Sequence, residues 1–147
     1  MKRLFTIIAT ILLSSTLLAQ VSLDEVTGRL DSNRIQAGFS CTFISQGTPM
    51  ICKGTVLAQG RCFHSDINGI ESYCDGQKIV LLDRKSKEAY IEDASGLKEY
   101  LESNVGNISG LEFSELRFLD ISDDMSAFCV DLSSFGKDWV ITDLRQE

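Results

Sequence analysis

Five cysteines and a single histidine are the residues of this 147-residue chain that could support thiol, metal or acid–base chemistry. No two of the cysteines form a C-x-x-C pair, and His64 has no second histidine with which to share a metal ion. A zinc site or a thioredoxin-like redox centre is therefore poorly supported. No G-x-S-x-G turn exposes a serine nucleophile. His64 falls within a predicted strand, where a surface or core-edge side chain is the more common case.

Carboxylates are numerous, but they are not arranged as a catalytic pair or a calcium loop. Asp120, Asp123 and Asp124 fall at the end of a predicted strand and in the turn after it. Aspartate is favoured there because its side chain bonds to the local backbone. No D-x-D-x-D-G run with a distal glutamate is present in the sequence. We predict that the protein is not an enzyme and uses no metal or other cofactor.

The first 20 residues have the order of a cleavable secretory signal. Lys2 and Arg3 precede the low-charge apolar stretch 4–18, and Ala19 supplies a small residue before the cleavage point. The apolar run is shorter than the roughly 20 residues that span a bilayer. No cysteine near the cleavage point can carry a lipid anchor. We expect an exported, untethered, monomeric product with a single domain over residues 21–147.

The charge of the chain argues against nucleic acid as a partner. The formal net charge is −7, from 21 acidic and 14 basic residues, and losing the two basic residues of the signal makes the product more acidic still. No cluster of lysine and arginine reverses this field locally, so a phosphate backbone would be repelled.

The hydrophobic periodicity predicts an α+β, mainly β domain. Ser22 and Glu25 form a capping box for a helix to about residue 34, with Val26 and Leu30 on its apolar face. From residue 37 the period becomes two, and turn residues recur about every ten positions, which is typical of an antiparallel meander. A second short helix is predicted near residues 97–105. Further strands are predicted over residues 78–83, 87–92, 112–121, 125–132 and 139–144.

Two predicted hairpins bring cysteines opposite one another. If Ser45 faces Thr48, Cys41 lies opposite Cys52. Around residues 67–69, folding position 66 against position 70 sets the partners of the second hairpin. The pairs expected there are His64 with Ser72, Phe63 with Tyr73, and Cys62 with Cys74.

The cysteines could form two disulfides or remain reduced. Export favours bridges, for which Cys41 with Cys52 and Cys62 with Cys74 are the candidates, and the odd Cys129 is left over. Cross-strand bridges between opposed residues are less common than other arrangements, so reduced core thiols are the alternative.

Large apolar side chains are predicted to share one face of the sheet. Such a face can line a ligand cavity that the helices cover, but pattern alone favours a simple core. The predicted lining residues are Phe39, Phe43, Met50, Val56, Phe63 and Tyr73.

Several segments resemble the LolA-like periplasmic lipoprotein-carrier family. Residues 25–31 (EVTGRLD) and 35–40 (IQAGFS) are similar to the family's first helix and its entry into the first strand. Residues 53–56 (KGTV) resemble its Gly-x-Leu strand. The most specific match is 75–83 (DGQKIVLLD), which is followed by 87–91 (KEAYI).

The resemblance implies a fold and a role. The fold would be an incomplete antiparallel barrel, or strongly curved sheet, covered by the N-terminal helix and the second short helix. Its concave face would shield the acyl chains of a lipoprotein, or another lipid, on the way through the periplasm to the outer membrane. An inner-membrane release complex and an outer-membrane acceptor would be its partners.

The chain departs from the family at one functional loop. Where the family carries Lys-Arg-Pro after the second strand, with an arginine implicated in closing the lid, this chain has residues 58–60 (AQG), and Arg61 is an offset candidate. The alternative function is a non-carrier exported interaction domain that binds a protein partner through a sheet edge or a free cysteine.

Overall fold

An eight-stranded β-sheet dominates the computed structural model, which describes residues 23–97 and 105–145. A short helix, α1 (Leu23–Gly28), precedes the sheet, and 3₁₀ turns occur at Val105–Asn107, Ser126–Phe128 and Leu132–Ser134. The strands are β1 (Asn33–Ser45), β2 (Thr48–Gln59), β3 (Cys62–Ile67), β4 (Ile70–Cys74), β5 (Lys78–Asp83), β6 (Glu88–Asp93), β7 (Ile108–Asp120) and β8 (Val140–Asp143).

The sheet has the strand order β7-β1-β2-β3-β4-β5-β6-β8 and is not closed into a barrel. Strands β1 to β6 form the predicted antiparallel meander, because short turns between them leave no room for a crossover. The expectation of a wholly antiparallel sheet is wrong at β8, which pairs in parallel with β6. The long segment between β7 and β8 allows the chain to cross the sheet and return in that direction.

The register is confirmed in the first predicted hairpin and wrong by one residue in the second. Cys41 pairs with Cys52 as predicted. In the second hairpin Asn68 and Gly69 both have positive φ, which makes a two-residue turn and pairs Ile67 with Ile70. Cys62 therefore does not face Cys74. The observed pairs are Phe63 with Cys74, His64 with Tyr73 and Ser65 with Ser72.

The two faces of the sheet carry separate apolar clusters. The inner cluster comprises Ala37, Phe39, Cys41, Phe43, Cys52, Val56, Ala58, Phe63, Ile67, Cys74, Ile79, Leu81 and Ile108. The outer cluster comprises Val80, Leu82, Ala89 and Ile91, and Tyr73, Val130, Leu132, Phe135 and Trp139 pack against it. Strand β5 contributes to both clusters because its four apolar residues, 79–82, alternate between the faces.

The predicted N-terminal helical cover is not supported. Helix α1 ends at Gly28 and β1 begins at Asn33, so no helix reaches residue 34. The predicted capping residue Ser22, residues 98–104 of the second helix and the signal over residues 1–20 lie outside the described residues. Within the described part of the chain, no helix is both long enough and apolar enough to cross a membrane.

The last predicted strands are confirmed at two of three positions. Strands β7 and β8 correspond to the predictions over 112–121 and 139–144. The strand predicted over 125–132 is wrong, because that segment forms the 3₁₀ turn Ser126–Phe128 and leads into a second one.

Candidate functional site

A cavity of about 660 Å³ opens at one end of the inner face. It has the size of a small-molecule site. Among the described residues, its apolar lining comprises Leu30, Ala58, Cys62, Phe63, Cys74, Ala94 and Leu97, and the polar residues that also line it are Arg61, Gln77, Asp93 and Ser95. An apolar chamber with a few polar groups suits a ligand that has a long apolar part.

Two turns bring the cavity-lining strand ends together. Gly60, with a φ of +58°, forms the tight turn between β2 and β3, and its N–H donates to the carbonyl of Leu30 at 2.7 Å. On the neighbouring connection, the Asp75 carboxylate accepts from the N–H groups of Gln77 and Lys78, each at 2.9 Å. The segment after β6 is held by Ala94 N–H, which donates to the Gln77 carbonyl at 2.9 Å.

The segment that carries the most specific resemblance, residues 75–83, thus begins with a turn that shapes the cavity and continues as β5. Asp75 is the side chain on which this turn depends. Its partial burial alone would raise its pKa, but the backbone N–H groups of Lys78 and Gln77 stabilise the carboxylate and bring the pKa below its ordinary value. Gly76 follows with a φ of +93°, which only glycine adopts readily.

Of the six predicted lining residues, one lines this cavity. Phe63 does so, whereas Phe39, Phe43 and Val56 are buried in the inner cluster and Met50 packs against it. The expectation that all six share a face is wrong for Tyr73, which packs against the outer cluster. The one-residue register error explains this, since a slip by one residue moves a side chain to the opposite face.

The sequence analysis named Leu30, Arg61, Cys62 and Cys74 in other roles, but it did not predict that any of them, or Ala94 and Leu97, would line a cavity. Leu30, Ala94 and Leu97 follow or precede the regular strands, so the period-two pattern did not include them. A usable signal was present in Gly60 and Gly76, because turns at the same end of a meander place their flanking residues side by side.

The five cysteines are free thiols, and all of them lie in the described part of the chain. The predicted bridge between Cys62 and Cys74 loses its geometric basis with the corrected register. Cys41 and Cys52 are opposed on the inner face, and the hydrogen bond that Cys41 donates to Cys52, together with burial, raises the pKa of Cys41. A bridge between these two stays a prediction.

The thiols at the cavity are poorly suited to nucleophilic chemistry. Burial raises the pKa of Cys74 to about 11, and its Sγ donates to the Arg61 carbonyl at 3.5 Å. Burial and the nearby Asp75 also raise the pKa of Cys62. Since the thiolate is the reactive form, neither cysteine has the environment of a catalytic thiol. No group of three His, Cys, Asp or Glu residues suited to a metal ion occurs among residues 23–97 and 105–145.

The outer face carries a polar and aromatic network beside the second hairpin. The Tyr73 hydroxyl donates to Glu71 Oε1 at 2.9 Å, and Arg84 forms an ion pair with the same carboxylate. The His64 ring stacks on Tyr73, with centroids 4.2 Å apart. The buried Nε2 of His64 has no hydrogen-bond partner in the described structure.

We expect the protein to lose stability as the pH falls below about 6.5, through His64. Burial holds the pKa of His64 below its ordinary value of 6.5, and Arg84 adds to this effect while Glu71 and Asp66 oppose it. The unfolded state therefore takes up the proton at a higher pH than the folded state. The contribution of His64 to the free energy of unfolding is thus fully present above pH 6.5 and decreases on acidification. Urea unfolding between pH 7.5 and 5 measures this.

The matched variant for that measurement is His64→Gln, because His64 is the only histidine. Carboxylates such as Glu71 titrate at lower pH, where their contribution is separable. A His64→Gln variant with the same loss of stability between pH 7.5 and 5 would contradict the assignment.

No known family model matches the chain, and no curated protein is similar to it in sequence. The argument for function therefore depends on the cavity and its surroundings.

Proposed function

We propose that the protein is a non-catalytic carrier that binds the acyl chains of a lipoprotein, or another apolar ligand, and shields them in the periplasm. The observation that carries this proposal is the open cavity of about 660 Å³ on the inner face. Burying a methylene group contributes about 0.8 kcal/mol, so even part of an acyl chain in such a chamber is stabilised considerably.

The mixed lining of the cavity supports a ligand with two chemically different ends. Leu30, Phe63 and Leu97 offer apolar contacts, whereas Arg61 and Asp93 can interact with a part that stays in water. Arg61 is also the residue that the family resemblance offers in place of the lid arginine. Its position at the cavity is consistent with a role in retaining a ligand.

The sheet topology supports the same proposal. An unclosed sheet whose inner face is apolar can curve into the incomplete barrel that the resemblance implies, with the cavity at its mouth. The proposal also includes export by the signal over residues 1–20. It further includes passage of the carrier between an inner-membrane release complex and an outer-membrane acceptor.

Filling the cavity is expected to abolish ligand binding. Ala94 lines the cavity and is half-buried, so Ala94→Trp introduces an indole ring where the apolar ligand would lie. We expect at least a tenfold weaker affinity for the apolar dye Nile red and for a palmitoylated peptide. Fluorescence titration measures both affinities.

Ile51→Trp is the matched control, because Ile51 is 76% exposed on the hairpin far from the cavity lining. It adds the same ring without filling the chamber and should leave both affinities unchanged. Equal effects of the two variants, or no saturable binding by the wild-type protein, would contradict the carrier proposal.

The second candidate function is an exported interaction domain that binds a protein partner. It is favoured by the 13-residue edge strand β7 and by the exposed thiol of Cys129. Size measurement with and without reductant distinguishes it, since a thiol-linked assembly separates only when reduced. Loss of such an assembly in Cys129→Ser would assign it to that residue.

A further inference from the structure

Two buried serines are paired across β3 and β4 on the inner face. They form the next same-face pair after Phe63 and Cys74, which line the cavity. Ser65 on β3 pairs with Ser72 on β4, and they are 1% and 0% exposed. Neither Oγ has a hydrogen-bond partner within residues 23–97 and 105–145. A buried hydroxyl without a partner is destabilising, and native proteins contain few of them.

The serines lie on the same face of the sheet as two residues that line the cavity. Phe63 precedes Ser65 by two positions, Cys74 follows Ser72 by two, and this pair lines the cavity. Residues two apart on a strand point to the same side and lie about 7 Å apart. The two hydroxyls therefore lie one residue pair beyond Phe63 and Cys74, next to the cavity lining but buried beneath the inner face.

The uncharged surroundings of the serines favour a neutral ligand group over a charged one. Their cross-strand neighbours are Val56 on β2 and Leu81 on β5, and the residues two positions away along each strand, which share the face of the serines, are also uncharged. The acidic residues adjacent in sequence, Asp66 and Glu71, lie on the opposite face. A carboxylate or a phosphate placed there would be buried without a compensating charge, which is costly. A neutral oxygen can both accept a hydrogen bond from a serine and avoid this cost.

We propose that the inner face accepts a neutral lipid whose hydroxyl or carbonyl oxygen hydrogen-bonds Ser65 and Ser72 while its hydrocarbon part fills the cavity. This inference rests on the proposed function and narrows the ligand to a class such as long-chain alcohols and esters. It also sets the orientation, with the polar oxygen at the buried end.

The test compares a neutral alcohol with the corresponding hydrocarbon in the full chain. Dodecanol and dodecane each compete with Nile red, in the wild-type protein and in Ser65→Ala/Ser72→Ala. We expect the double variant to bind dodecanol about tenfold more weakly, since two hydrogen bonds are lost, and to bind dodecane unchanged. The unliganded variant should also melt at a higher temperature, because two unpartnered hydroxyls are removed.

Other outcomes separate the two proposals. Unchanged dodecanol binding in the double variant would overturn the inference, with the hydroxyls holding only water, but would leave the carrier proposal intact. Failure of both compounds and of Nile red to bind the wild-type protein would overturn both. The single variants Ser65→Ala and Ser72→Ala provide the comparison if the double variant does not fold, and Ser40→Ala, on the opposite face of β1, is the matched control.

Discussion

Gly54→Ala is expected to lower the free energy of unfolding by about 3 kcal/mol or more. A Cβ atom at Gly54 would lie 2.0 Å from the carbonyl oxygen of Asp66 and 3.0 Å from the Cα of Ile67. Both are backbone atoms of β3, so no side-chain rotation can relieve the contact. Strands β2 and β3 would have to separate in the middle of the sheet, where glycine permits their close approach.

Two other glycines allow the expected losses of stability to be ranked. At Gly38 the nearest atom to an added Cβ is Ser114 Oγ at 2.6 Å, the end of a side chain that can rotate, so Gly38→Ala should cost less. At Gly28 an added Cβ meets nothing within 4 Å, and alanine favours the helix in which this residue lies. Urea unfolding of the three variants measures the order, and a Gly54→Ala protein as stable as Gly28→Ala would contradict the close approach.

The meander of β1 to β6 was predictable because each strand is encoded locally. Alternating residues such as Phe39, Cys41 and Phe43 identify a half-buried strand, and the Gln46–Gly47 turn sets its register. The second hairpin shows the limit of this reasoning. Treating Asn68 and Gly69 as part of a longer turn moved Tyr73 to the wrong face, although an Asn-Gly pair favours a two-residue turn.

The cavity and the C-terminal segment were less predictable because they depend on contacts remote in sequence. Leu30 reaches the cavity through the hydrogen bond between its carbonyl and Gly60, which no local pattern encodes. Likewise, the loop after β7 is held by the buried side chain of Gln59, which donates to the Ser122 carbonyl at 2.7 Å and accepts from Ser122 N–H at 3.1 Å. A polar residue at the end of a strand gives no sign of such a partner 63 residues away.

Phe128→Ala is expected to lower the free energy of unfolding by about 3–5 kcal/mol. Phe128 is 1% exposed although it lies in a 3₁₀ turn rather than a strand, and the turn lies against β3. The Arg34 guanidinium is 5.1 Å from the ring centroid, and Arg34 also donates to Gln59 Oε1 and to the Asp124 carbonyl. Removing the ring therefore leaves a cavity and also weakens the attachment of the loop that precedes it.

Phe135→Ala is the matched control, because Phe135 lies in the same segment but is only half-buried, stacked on Trp139 with centroids 4.4 Å apart. It should cost clearly less than Phe128→Ala in the same urea experiment. Since the described residues that line the cavity all fall between Leu30 and Leu97, Phe128→Ala should bind Nile red with wild-type affinity under conditions where it stays folded. A folded Phe128→Ala protein that no longer binds the dye would contradict this expectation. It would show that the segment around Phe128, although it does not line the cavity, is required for ligand binding on the inner face.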